Sequence, residues 1–228
     1  MKKIIALCFL MIMNISAQTF TVEKVKGKVQ VLKGTSEQFV DVIQGQTLTG
    51  EDVLVTDNNS FVQLKKDNTK FNLNSNSALG MNYLKQMSIN DLLLVLALEE
   101  IRSLPKNIKQ NNSSSTAIYG SKVSPSKNTN ASIDEFGIKR INGAKQLAES
   151  GFKESAVASA KETFRKYPSA NSDFNGRLFF ADLLYDLKLY EEALSDYTKI
   201  NELELSEEER KIISNRIEKT NLELAEKQ

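Results

Sequence analysis

The 228-residue sequence contains no histidine and no tryptophan, and it has a single cysteine. Without histidine, the chain lacks the commonest acid–base group and one of the commonest metal ligands. A surplus of charge is also missing, because 30 Lys and Arg are balanced by 29 Asp and Glu, a net charge of +1. Nucleic-acid-binding proteins usually carry a large basic excess, so we expect no nucleic-acid partner. The hydrophobic share of 40% is ordinary and predicts a folded chain.

The N-terminus shows the three-part pattern of a secretory signal peptide. Residues 1–3 form a short basic start, residues 4–15 are almost purely apolar, and Ala17 supplies a small residue for cleavage. The apolar run is shorter than the roughly 20 residues of a membrane span. Lipidation of Cys8 is disfavoured because Leu7 precedes it. We therefore expect cleavage after Ala17 and a bacterial protein that is periplasmic, outer-membrane-associated or secreted, with no membrane span after cleavage.

Residues 18–84 are predicted to form β-strands. Apolar residues alternate with polar ones in short runs, and glycine, asparagine or aspartate turn signals separate the runs. This period-two alternation is typical of a small antiparallel sandwich or barrel. The alternating apolar pairs are Val29 and Val31, Val40 and Val42, Val53 and Val55, Val62 and Leu64, and Phe71 and Leu73.

The periodicity changes to that of a helix over residues 86–104. Ser88 or Asn90 can cap the start of this helix. Residues 92–98 are apolar on all sides of the helix, so we expect them to be buried on several sides and to pack against the sheet.

A polar linker is predicted over residues 105–135, and its first 28 residues, 105–132, contain four Lys and no acidic residue. Residues 136–228 are predicted to be helical, because Ala, Leu, Glu and Lys dominate there. A capping box is expected at Ser206 to Glu209. Helix breaks are expected near Gly151, Tyr167 and Pro168, Lys188, and Leu205 and Ser206.

The domain plan is therefore that of an α+β chain with two modules. It comprises a signal peptide (1–17), a β domain with its following helix (18–104), a linker (105–135) and a module of α-helical hairpins (136–228).

The strand zone resembles the FecR-like domain, the periplasmic domain of iron-citrate-type transport regulators. Residues 45–56, which read Gly-Gln-Thr-Leu-Thr-Gly-Glu-Asp-Val-Leu-Val-Thr, carry the resemblance, with residues 25–29 ahead of them and the turn at 67–69 behind. It covers roughly residues 22–82 and implies a fold rather than an activity. Regulators of that family have an anti-sigma segment and a membrane helix before the domain. In this chain we expect only a signal peptide there, so we do not expect sigma-factor regulation.

The helical zone resembles a short tetratricopeptide array. Residues 190–194, Tyr-Glu-Glu-Ala-Leu, are the best match, and Gly151, Ala156 and Pro168 carry a first unit. A plain helical bundle is the alternative. The resemblance implies interhelix packing for Tyr190 and Tyr197, and a concave face that binds a peptide or protein partner. The residues expected on that face are Lys145, Glu149, Asn175, Asp182, Tyr185 and Asp186.

The sequence offers no coherent catalytic group. The adjacent carboxylates Glu51 and Asp52, and likewise Glu99 and Glu100, diverge on a strand or a helix, whereas an acid–base pair must converge on a substrate. We interpret them as residues of a turn and of a solvated face. We therefore expect a protein that is not an enzyme and has no cofactor or metal site.

Two hypotheses for the activity remain. The leading one is an exported adaptor or assembly factor that binds an envelope protein or peptide. The alternative is a cell-wall or glycan-binding protein that uses polar residues of the β domain, namely Gln63, Asn72, Asn74 and Asn76.

Overall fold

The computed structural model describes residues 18–34, 36, 38–103 and 129–226. Within these residues, two antiparallel four-stranded sheets are followed by seven α-helices, which confirms the predicted α+β class with two modules. The predicted signal peptide and most of the predicted linker lie outside the described residues.

The β module contains eight strands in two sheets. One sheet has the order β4-β1-β6-β7 and the other β3-β2-β5-β8, and all neighbouring strands are antiparallel. The strands are β1 (Thr19–Lys26), β2 (Val29–Leu32), β3 (Phe39–Asp41), β4 (Thr47–Thr49), β5 (Val53–Thr56), β6 (Phe61–Lys66), β7 (Thr69–Leu73) and β8 (Ser77–Gly80).

Alternation along the strands places one apolar set in a shared core. The predicted pairs in β2, β6 and β7 are all buried, and residues of both sheets belong to one hydrophobic cluster. Strand β3 departs from the pattern, because Phe39 and Val40 are exposed. Gly27 makes the turn between β1 and β2 with a φ of +72°, and a Cβ there would lie 2.4 Å from the Ser60 hydroxyl oxygen.

The helices of the second part begin and end close to the predicted breaks. They are α1 (Ile89–Ser103), α2 (Thr129–Glu149), α3 (Lys153–Lys166), α4 (Pro168–Asn171), α5 (Phe174–Asp186), α6 (Tyr190–Asn201) and α7 (Glu207–Ala225). Gly151 and Lys188 have positive φ values, which end the preceding helices. Ser206 and Glu209 form the predicted capping box at the start of α7. Helix α2 begins at Thr129, so residues 129–135 are helical rather than part of a linker.

Helix α2 joins the two modules by lying across β8. Gly143 is required at their closest approach, since a Cβ atom there would be 2.1 Å from the carbonyl oxygen of Ala78. Beside this contact, the side-chain amide of Asn142 donates to the carbonyl of Asn76 at 2.9 Å. Apolar residues of α2 and of both sheets form a single hydrophobic cluster, so the modules share one core.

Polar contacts cross the same boundary. Lys139 of α2 forms an ion pair with Asp57, at 2.7 Å, and the hydrogen bond from Lys139 holds the pKa of the Asp57 carboxyl below its ordinary value. The Tyr83 hydroxyl donates to Glu162 of α3 at 2.8 Å, and burial raises the pKa of that hydroxyl. These contacts fix the helices relative to the sheets.

Helix α1 packs differently from the prediction. Its main contacts are with α3 rather than with a sheet, because α2 occupies the position on β8. Leu92 is fully buried, whereas Leu94, Leu98 and Ile101 are 62%, 43% and 64% exposed. The expectation that this apolar run packs on the sheet and is buried on several sides is therefore wrong.

Candidate protein-binding groove

An open groove of about 1070 Å³ lies between α1 and α6, with α3 at its base. Helix α1 packs along α3, and α6 is joined to α3 by the ion pair of Lys161 with Asp196. The facing sides of α1 and α6 form the two walls. The α1 wall has apolar side chains followed by charged ones, and the α6 wall is mainly polar and charged. We call this cleft the α1–α6 groove.

Glu99 anchors one end of the groove. It is only 8% exposed, and its carboxylate accepts hydrogen bonds from Arg102 at 2.8 Å and from Arg165 of α3 at 2.5 Å. Burial acts to raise the pKa of the Glu99 carboxyl, but the two arginines outweigh it and hold the pKa below its ordinary value. Our interpretation of Glu99 as a residue of a solvated face is therefore wrong: it is a buried carboxylate that links α1 to α3.

Two further ion pairs link the helices that surround the groove. Lys161 of α3 binds the buried carboxylate of Asp196 on α6, and Lys199 of α6 binds Glu100 of α1 at 3.0 Å. Together with the ion pairs of Glu99, these contacts connect all three helices. The positions of the three helices around the groove are therefore set partly by ion pairs, and no apolar core formed by the described residues fills the space between α1 and α6.

An exposed apolar stripe runs beside the groove on α1. Leu94, Leu98 and Ile101 follow one another at helical spacing on the face opposite Leu92. Ala97 is exposed, lines the groove, and lies three and four residues from Leu94 and Ile101. The stripe and the groove therefore form one continuous surface.

The predicted partner-binding residues Asp182 and Tyr185 of α5 hold helices together. Asp182 accepts hydrogen bonds from the Tyr197 hydroxyl at 2.6 Å and from Arg216 of α7 at 2.8 Å. The Tyr185 hydroxyl donates to Glu223 of α7 at 3.0 Å. These contacts give both residues a structural role, and their part in binding stays a prediction.

The other four predicted residues are spread over α2 and α5. Lys145 lies with its amine 5.7 Å from the centre of the Phe179 ring, which places α2 beside α5. Glu149, Asn175 and Asp186 are exposed. The packing roles expected of two tyrosines agree with the structure: Tyr197 is fully buried, and the ring centre of Tyr190 lies 5.0 Å from that of Tyr185.

The polar residues of the alternative, glycan-binding hypothesis are engaged within the chain in part, Gln63 and Asn72 through their side chains and Asn74 and Asn76 through their backbone. The Gln63 side chain donates to the Asn72 side chain at 3.0 Å. The backbone amide of Asn74 donates to Gln146, and the backbone carbonyl of Asn76 accepts from Asn142. Asn74 and Asn76 therefore lie at the contact with α2, and glycan binding by the four side chains stays a prediction.

Of the other adjacent carboxylates, Asp52 confirms the turn interpretation. Its side chain is buried and accepts from the backbone amide of Thr49 at 2.8 Å and from Lys33 at 3.1 Å. It stabilises the turn before β5.

The groove itself was not predicted, because it depends on where α1 packs. One signal in the sequence pointed towards it. Glu99 lies seven residues after the buried Leu92, on the same helical face, so a carboxylate occupied a position that faces the interior. A buried carboxylate requires a cationic partner, which pointed to an arginine or lysine on a neighbouring helix.

No family model, curated protein or solved structure matches this chain. In the described part of the chain, no group of three or more acidic, cysteine or histidine side chains is placed to hold a metal ion. No helix among residues 18–103 and 129–226 is long and apolar enough to cross a membrane.

Proposed function

We propose that this protein is an exported, non-enzymatic protein of the bacterial envelope that acts as a protein–protein interaction adaptor or assembly factor. The observation that carries the proposal is the α1–α6 groove together with the exposed apolar stripe of α1. Large apolar side chains that follow one another on a protein surface typically mark an interaction site. The resemblances to a FecR-like domain and to a tetratricopeptide array support the same role, and the N-terminal sequence pattern supports export.

The architecture suits an adaptor. Helix α2 fixes the helices on the β module, and largely buried ion pairs join α1 to α3 and α3 to α6, so the groove is preformed. A preformed surface loses little conformational entropy when a partner binds, which favours affinity.

Site-specific photocrosslinking in living cells tests this function. A photoreactive residue replaces Ala97, between the groove and the stripe, and in a control it replaces the exposed Asn72 on β7. We expect a defined envelope protein to be crosslinked from position 97 and not from position 72. The adduct should be lost when Leu98→Gln is added, because that change removes an apolar contact. No adduct from position 97, or the same adducts from both positions, would contradict the proposal.

A further inference from the structure

The end of the groove at the start of α6 carries carboxylates without cationic partners. Glu191 and Glu192 lie in the first turn of α6 and line the groove. Neither forms an ion pair with any described residue, in contrast to Asp196 one turn further on. The facing wall on α1 is apolar and includes Leu93 and Ala97. This end of the groove is therefore negative on one side and apolar on the other.

The opposite end has a small excess of positive charge, because Arg102 and Arg165 share the carboxylate of Glu99, while Lys199 pairs with Glu100. Its lining side chains are the cations Arg102, Arg165, Arg177 and Lys199 and the carboxylates Glu99, Glu100 and Glu202. A third guanidinium, that of Arg177 on α5, also lines the groove.

Arg177 has no ion pair with a described residue. It donates to the Asn171 side chain at 3.2 Å, and its guanidinium lies 6.0 Å from the centre of the Phe164 ring. Burial lowers the pKa of Arg177 from the ordinary value, because nearby carboxylates only partly offset the loss of hydration. Asp196 and Glu202 are those carboxylates, and neither forms an ion pair with Arg177, so a carboxylate bound beside Arg177 would supply a direct partner.

The distance between the two ends corresponds to a short peptide. Helix α6 has 12 residues and runs along the groove. At about 1.5 Å per residue it spans about 18 Å, which five or six residues of extended chain would cover.

We propose that the α1–α6 groove binds an extended segment of a partner protein that has lysine or arginine at one end, apolar residues in the middle and an acidic side chain at the other. The basic end lies against Glu191 and Glu192, the apolar residues contact the α1 wall, and the acidic side chain pairs with Arg177. This assignment rests on the proposed adaptor function and names its ligand class. It uses three groove-lining charges that form no ion pair with a described residue, those of Glu191, Glu192 and Arg177. Glu202, just after the end of α6, is a fourth such charge.

Selection from a library of random heptapeptides tests the assignment. The peptides are displayed with constant sequence on both sides, so that only internal segments are sampled, and are selected on the immobilised mature chain. We expect the selected peptides to share the basic–apolar–acidic order. Peptides without that order, or no enrichment at all, would overturn the proposal.

Matched variants locate the bound peptide. Arg177→Gln and the double change Glu191→Gln with Glu192→Gln should each weaken binding of a selected peptide about tenfold, the effect of losing one charge-assisted contact. The controls are Arg210→Gln and the double change Glu207→Gln with Glu208→Gln on α7. The latter pair also lies in the first turn of a helix, so it reproduces any effect of the helix dipole. Binding that is unchanged in the groove variants would overturn the proposal, provided that their circular dichroism and urea unfolding match the parent chain.

Two outcomes separate this inference from the function on which it rests. A partner that is crosslinked from position 97 and is unaffected by Arg177→Gln would leave the adaptor function standing and overturn the ligand class. The selection is also run on a variant in which residues 104–128 are replaced by a Gly-Ser linker of equal length. If peptides are selected on this variant and not on the parent chain, the groove binds residues 104–128 of its own chain, and the proposal is likewise overturned.

Discussion

At the scale of single residues, Glu99 links α1 to α3 at one end of the groove. It is buried, and both of its carboxylate oxygens accept hydrogen bonds from arginines. Removal of one member of a buried ion pair leaves the remaining charge desolvated, which costs more than loss of an exposed pair. Glu99 and the adjacent Glu100 therefore form a matched comparison, because Glu100 is exposed and has one lysine partner.

Glu99→Gln should lower the free energy of unfolding by about 2–3 kcal/mol at pH 7. Because the folded-state pKa of Glu99 is lowered, its stabilisation is complete above the unfolded pKa of about 4.3 and is lost as the pH falls through the folded value. The variant should therefore lose less stability than the parent on acidification in that range. Urea titrations at several pH values measure both effects. Glu100→Gln, the control, should cost less than about 1 kcal/mol, and equal losses in the two variants would contradict the account.

At the scale of elements, α1 has two faces with different tasks. Leu92 packs against the interior, whereas Leu98 faces solvent on the same helix. Only the face with Leu92 contributes to the core, so the face with Leu98 is available for a partner.

Leu92→Ala should lower the free energy of unfolding by about 3–5 kcal/mol, since it removes buried methyl groups and leaves a cavity. Leu98→Gln should change it by less than about 0.5 kcal/mol, as expected for a surface substitution. Chemical denaturation of the purified variants provides the measurement. A large loss of stability in Leu98→Gln would show that the stripe is covered within the folded chain, and would remove the case for a binding face.

The elements themselves were largely predictable. Alternating apolar pairs identified β2, β5, β6 and β7, and turn and capping residues placed the helix ends near Gly151, Lys188 and Ser206. Strand β4 was missed because it has three residues and a single buried side chain, Leu48. Strand β8 was missed because all four of its residues are buried, so it shows no alternation.

Which elements pack against each other could not be predicted from apolar periodicity or from turn and capping residues. The apolar run of α1 indicated burial but not the surface that would bury it. The choice between the sheet and α3 depends on where α2 lies, and that depends on Gly143 and the face of β8, which are distant in sequence from α1. The groove follows from this arrangement, so local patterns gave only one sign of it, the carboxylate of Glu99 on the interior face of α1.

At the scale of the whole molecule, the contact between α2 and β8 determines whether the two modules unfold together. The shared core and the ion pair of Lys139 with Asp57 both cross this contact. Domains joined by a continuous core usually unfold in one cooperative step, whereas modules joined by a tether unfold separately.

Gly143→Ala tests that coupling. Alanine favours a helix over glycine by about 1 kcal/mol, so the change would stabilise an isolated α2. In this chain the new Cβ would meet the Ala78 carbonyl oxygen at 2.1 Å, so we expect a net loss of about 1–3 kcal/mol. Hydrogen exchange followed by mass spectrometry should show reduced protection in peptides of both modules to a similar extent. Gly50→Ala is the control, because a Cβ atom at that position would have no neighbouring atom within 4 Å. Loss of protection confined to the helices would show that the modules are independent, and the groove would then belong to the helical module alone.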